Sequence, residues 1–113
     1  MDIQVRFRGL EPSEFLREHA VQQALVHLSR FGRDLSTVVL RIGDLNGPKG
    51  GVDKSCHVTV RGPRIGTATI EERSEQPYAA VDVAIERAAR SVARELGRVR
   101  DERRQAADAA WPS

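Results

Sequence analysis

Four arginines, Arg87, Arg90, Arg94 and Arg98, recur at steps of three and four residues in the C-terminal third of a 113-residue chain. At about 100° per residue they fall within a sector of roughly 80°, so a helix through them carries four guanidiniums in one stripe. Planar guanidinium presents a fork of donors that matches phosphate oxygens, and the chemistry this stripe could do is phosphate recognition. The stripe also repels itself by a few tenths of a kcal/mol per pair, which Glu86, Glu95, Asp101 and Glu102 partly offset. The competing reading is a plain solvated face, the usual meaning of a charge run.

Other residues capable of chemistry lead to less. The glycine-rich stretch Gly47–Gly51 lacks the spacing of a phosphate-binding loop and precedes a strand rather than a helix N-terminus. It reads as a hairpin loop that can touch an RNA backbone through Lys49 and Lys54. Cys56 and His57 are neighbours on a strand and point to opposite faces, so they form no thiol–imidazole pair. With one cysteine, and His19 and His27 on another element, no metal-ligand set is expected. Cys56 reads as a small buried apolar residue. Glu71 and Glu72 sit together at a strand end, where edge solubility explains them better than acid–base work. No motif assembles a nucleophile, a base and an orienting group, so no enzyme activity, cofactor or small-molecule substrate is expected.

The elements that position these residues follow from apolar periodicity. Ile3, Val5 and Phe7 alternate with Gln4, Arg6 and Arg8 as in a half-buried strand that Gly9 ends. Pro12 and Ser13 supply helix-start chemistry, with Glu14 in the first turn. Leu16, Ala20, Val21, Ala24, Leu25 and Leu28 then form an apolar stripe running to Phe31, and Gly32 is a natural stop in the left-handed conformation. Thr37 to Asp44 is a second strand, with Val38, Leu40 and Ile42 on one face. Turn residues fill Asn46–Asp53. Cys56, Val58 and Val60 mark a third strand, and Thr67–Glu71 a fourth with Ala68 and Ile70 inward. Gln76-Pro77 opens the arginine-bearing helix, whose apolar face is Val81, Ile85, Ala88, Ala89, Val92, Leu96 and Val99. Gly97 costs about 1 kcal/mol inside it, so fraying or an end is expected between Gly97 and Gln105.

The order β-α-β-β-β-α, with one apolar face per strand, implies an α/β (α+β) two-layer sandwich: a four-stranded sheet with two helices on one face. The first two strands should be parallel through a right-handed crossover, the others antiparallel. The open face carries Thr37, Arg41, Thr59, Arg61, Thr67 and Thr69 and no aromatic stacking platform. Residues 1–105 should form one domain and 106–113 a flexible C-terminal tail, with Trp111 a lone aromatic.

Composition narrows the class of partner. Net charge is +2 but the isoelectric point is near 9.2, so basicity lies in distribution. Lys49 and Lys54 are the only lysines. A single cysteine excludes an intrachain disulfide and suits a reducing compartment. Asp2, Arg6 and Arg8 leave no apolar stretch for a secretory signal, and no apolar run approaches the ~20 residues of a membrane span. A cytoplasmic location without membrane contact is expected.

Tyr78-Ala79-Ala80-Val81-Asp82, at the start of the long helix, resembles the Y-A-A-[IV]-D signature of the ribosome hibernation-promoting factors and ribosome-associated inhibitors. Leu16-Arg17-Glu18 and Leu28-Ser29-Arg30-Phe31 resemble that family's first helix, and the element order is also theirs. The resemblance covers roughly residues 1–100. It implies a double-stranded RNA-binding-domain-like fold and a cytoplasmic protein that docks on the small ribosomal subunit, against 16S ribosomal RNA at the subunit interface, and represses translation in resting or stressed cells. It carries RNA contact onto Arg87, Arg90, Arg94 and Arg98, and onto Arg17 and Arg30, in a short-type member without a dimerisation domain. The modest charge and the unusual Asp44–Asp53 stretch motivate the alternative, a protein-interaction or stress-adaptor module of the same fold that no longer binds ribosomes.

Overall fold

The computed structural model describes residues 1–45 and 53–110. Its elements run β1 (Asp2–Arg8), α1 (Glu14–Leu28), a single 3₁₀ turn (Ser29–Phe31), β2 (Thr37–Asp44), β3 (Lys54–Gly62), β4 (Gly66–Ser74) and α2 (Pro77–Ala110). The strands lie in the order β1-β2-β3-β4. β1 and β2 are parallel, and the other two pairs are antiparallel. The strand order, which alternation alone leaves open, follows the chain because each later connection is a hairpin-type return.

Alternation decides the faces. Val5, Val38, Leu40, Ile42, Cys56, Val58 and Val60 are buried beneath the helices together with Leu16, Ala20, Ala24 and Leu28 of α1. From α2 the core takes Ala80, Val81, Ala84, Ile85, Ala88, Ala89 and Val92. Small residues on both helices let them sit close to the sheet and to each other, which suits interdigitated packing in a thin two-layer core. Both helices cover one side of the sheet, and the other side is open, as expected.

Ser13 caps α1 by accepting a hydrogen bond from the Leu16 amide at 3.3 Å, the N-cap role foreseen for it. Two expectations about α1 are corrected. Leu25 is 46% exposed rather than part of the buried stripe, because the helix faces the core through the i, i+4 row Leu16, Ala20, Ala24 and Leu28. Gly32 is right-handed, at φ −53°: the chain tightens into the 3₁₀ turn, where i+3 bonds satisfy the last carbonyls without a left-handed residue. Among the described residues the left-handed glycines are instead Gly9 (φ 73°), just after β1, and Gly66 (φ 69°), at the start of β4.

The long helix does not end between Gly97 and Gln105 but continues to Ala110. Arg98 bridges Glu95 and Glu102 on either side of Gly97, and such pairs offset part of the glycine's cost. Thirty-four residues make a rod of about 51 Å, longer than the 23 Å and 17 Å of the molecule's two short dimensions.

Candidate nucleic-acid interface

The four arginines of the stripe share one side of α2 but not one electrostatic state. Arg87 donates through Nη1 to Glu72 Oε2 at 2.5 Å and to the Glu71 backbone oxygen at 3.0 Å. It is thus bound to the β4 edge of the sheet. Arg98 is held by both Glu95 and Glu102, and the hydrogen bond from Arg98, with help from its charge and that of Arg94, holds the Glu95 carboxyl below the usual range. Arg90 and Arg94 are exposed, and neither makes a hydrogen bond or ion pair among the described residues. The centre of the stripe is therefore open for phosphate contact, while its two ends are engaged within the fold.

The remaining candidates are dispersed. Arg17 donates to the Val5 carbonyl at 2.9 Å and lies 5.2 Å from the centre of the Phe7 ring, so it ties α1 to β1. β1 and β4 are opposite edges of the sheet, and Arg17 and Arg87 face away from each other. Arg30 is exposed and lies over Phe31, 4.5 Å from the ring centre. Lys54 bonds Asp44 at 3.1 Å and Asp53 at 3.2 Å; these carboxylates raise its pKa, the Asp44 hydrogen bond most. Lys54 thus closes the base of segment 46–52 rather than presenting a free cation. Lys49 lies outside the described residues.

Among the described residues, the cysteine and histidines lie apart. Cys56 is fully buried, and burial pushes its thiol up to about 12. His57 faces the opposite side of the sheet, 3.4 Å from Glu71. His19 instead bonds Asp82 at 2.6 Å and meets the Tyr78 ring edge-on, joining the two helices. Among the described residues no group of acids, histidines and cysteines could hold a metal ion. No described helix is long and apolar enough to cross a membrane.

Residues 3–100 match the family described as sigma 54 modulation protein / S30EA ribosomal protein. The chain belongs to that family. The resemblance carried by Tyr78–Asp82 and by the first helix is thereby borne out. Two solved structures of similar fold bear this out at the level of architecture. One is the N-terminal domain of Protein Y from Thermus thermophilus, 24% identical, with a TM-score of 0.68 over 83% of this chain and 98% of that one. The other is a ribosomal subunit interface protein from Coxiella burnetii, 18% identical, with a TM-score of 0.70 over 86% of this chain and 99% of that one. No match was found among curated protein sequences.

Within this S30EA-family fold, partners across elements were invisible in the sequence. Glu72 reads there as an edge-solubility residue, yet it is the carboxylate that engages Arg87. The sequence also gave no functional meaning to the cations on the open sheet face, Arg6, Arg8 and Arg41. Their outward phase was legible, but their alignment across strands depends on register.

Proposed function

We propose that this protein is a non-enzymatic, ribosome-associated RNA-binding protein that docks on the small subunit at the subunit interface and represses translation in resting or stressed cells. The observation that carries the reading is the family match across residues 3–100. The exposed, unpaired pair Arg90 and Arg94 supplies chemistry suited to it, because arginine forks bind phosphate oxygens without needing base identity. On this reading 16S ribosomal RNA is the contacted partner, the location is cytoplasmic, and residues 1–105 carry the activity.

Co-sedimentation of the purified protein with ribosomes through sucrose, at low and moderate salt, tests this. Comigration that weakens steeply with salt is expected. The double variant Arg90→Glu/Arg94→Glu should lose it while keeping its circular dichroism spectrum. Comigration surviving that reversal refutes the stripe, and absence from every ribosomal fraction at low salt refutes ribosome binding.

One observation favours the second reading, a protein-interaction or stress-adaptor module. Phe15 is 80% exposed on α1, with Leu25 and Val26 also exposed. The exposed positions of that helix between Phe15 and Val26 are Glu18, Gln22 and Leu25, none of them a cation. On this reading a pulldown from stationary-phase lysate returns a defined protein partner and no ribosomal RNA.

A further inference from the structure

The sheet face turned away from the helices holds cations that no carboxylate pairs with among the described residues. Register aligns Arg6, Arg41, His57 and Glu71 in one row across all four strands. The next row is Arg8, Gly43, Ser55 and Arg73. Towards β4 the charges balance: Glu71 accepts from Arg73 at 3.0 Å and lies 3.4 Å from His57. Towards β1 and β2 they do not. Arg6 stands directly opposite Arg41, an arrangement of like charges that costs stability. Arg8 and Arg41 are exposed and make no hydrogen bond or ion pair among the described residues. Arg6 donates to the neutral Gln4 side chain at 2.9 Å, and Gln4 in turn donates to Asp2 at the far end of β1; Asp44, at the groove's other end, is bound by Lys54.

A groove follows this uncompensated end, lined among others by Arg6, Arg8, Arg41, Ser55, His57 and Thr69. Strand geometry spaces its cations about 7 Å apart along β1 and about 5 Å across to β2. The arginine forks and the hydroxyl of exposed Thr69 suit phosphate and ribose oxygens. Without an aromatic platform, such a surface holds a backbone and does not read bases.

We propose that the open sheet face around Arg8 and Arg41 is a second RNA-binding surface, taking the phosphate backbone of a single-stranded segment without sequence preference. It lies in the opposite layer from the α2 stripe, so one molecule can hold two RNA segments at once. The proposal stands whether or not α2 is the ribosome contact.

The test is fluorescence anisotropy of the full chain with a labelled oligouridylate of about a dozen nucleotides, a length suited to single-strand sites. Wild type should bind at low salt. Arg8→Gln/Arg41→Gln should weaken binding at least about tenfold, and flatten the dependence of log K on log salt by about 1.4, the value for two lost single-strand contacts. Arg8→Lys/Arg41→Lys, which keeps the charge, should retain most of the salt dependence and guards against misfolding of the glutamine variant. Arg90→Glu/Arg94→Glu should bind within about threefold of wild type. The proposal falls if wild type does not bind, if the glutamine variant binds normally, or if the stripe variant alone abolishes binding. It also falls if polyglutamate displaces the oligonucleotide at equal charge concentration, which would indicate an acidic protein as ligand.

Discussion

Arg87 on α2 and Glu72 on β4 form a 2.5 Å ion pair, and the same guanidinium nitrogen reaches the Glu71 backbone oxygen at 3.0 Å. A residue that reads as part of an RNA-binding stripe is therefore also a clamp between the long helix and the edge strand. Arg87→Ala should lower stability by about 1 kcal/mol, since the pair is partly solvated and its charge term is screened. Urea denaturation checks this. Arg87→Lys should recover only part of the loss, because a more strongly hydrated ammonium on a flexible stem gains less from the same two acceptors.

The stripe should be unequal in function. Arg90 and Arg94 have no carboxylate to leave, whereas Arg87 and Arg98 must give up Glu72, or Glu95 and Glu102. Alanine at Arg90 or Arg94 should weaken ribosome sedimentation more than alanine at Arg87 or Arg98. Each lost phosphate contact should flatten the salt slope by about 0.7–0.9. Equal effects at all four positions would show that the internal pairs do not compete with RNA.

Acid should loosen two surface networks. The Arg73 hydrogen bond, and then the charge of His57, hold Glu71 below the usual carboxylate range; the Arg98 hydrogen bond does the same for Glu95. A carboxylate with a depressed folded-state pKa contributes stability above its unfolded value. That contribution is lost as pH falls from about 4.5 through the lower folded value. Denaturation midpoints should drop in that window, and less steeply in Glu71→Gln/Glu95→Gln.

Cys56 should behave as a core residue. Burial pushes its thiol up to about 12, so the folded state favours the protonated form. Its stability contribution is full below the unfolded thiol's pKa of about 8.5 and declines as pH rises above it. Iodoacetamide at neutral pH should leave the native protein unmodified and alkylate Cys56 in urea. Rapid native labelling would mean that the sheet opens locally.

Two glycines should respond oppositely to alanine. A Cβ at Gly62 would lie 1.8 Å from the Asp34 backbone oxygen, so Gly62→Ala must shift backbone and should cost about 2–3 kcal/mol. At Gly97 the nearest atom is the Arg100 guanidinium at 4.0 Å. Gly97→Ala should stabilise the helix there by about 0.5–1 kcal/mol, read as slower amide exchange beyond residue 97.

Much of this protein follows from local pattern. Period-two alternation in Ile3–Phe7 and Val38–Ile42 and the three-and-four spacing from Val81 to Val92 assign elements and buried faces, because those periods are set by backbone geometry alone. Ser13 as a cap and Pro77 at a helix start are equally local, and Tyr78–Asp82, the two stretches of the first helix and the element order together pointed to the family. What depends on distance in space required the folded chain. The strand order, the neutralisation of Arg87 by Glu72, the capture of Lys54 by Asp44 and Asp53, and the alignment of Arg6 with Arg41 all join residues through register and packing. The sequence alone determined the outward phase of the strands and of the arginine-bearing helix; only the tertiary structure decided which of those cations meet a carboxylate among the described residues and which do not, because that depends on neighbours brought together by the sheet.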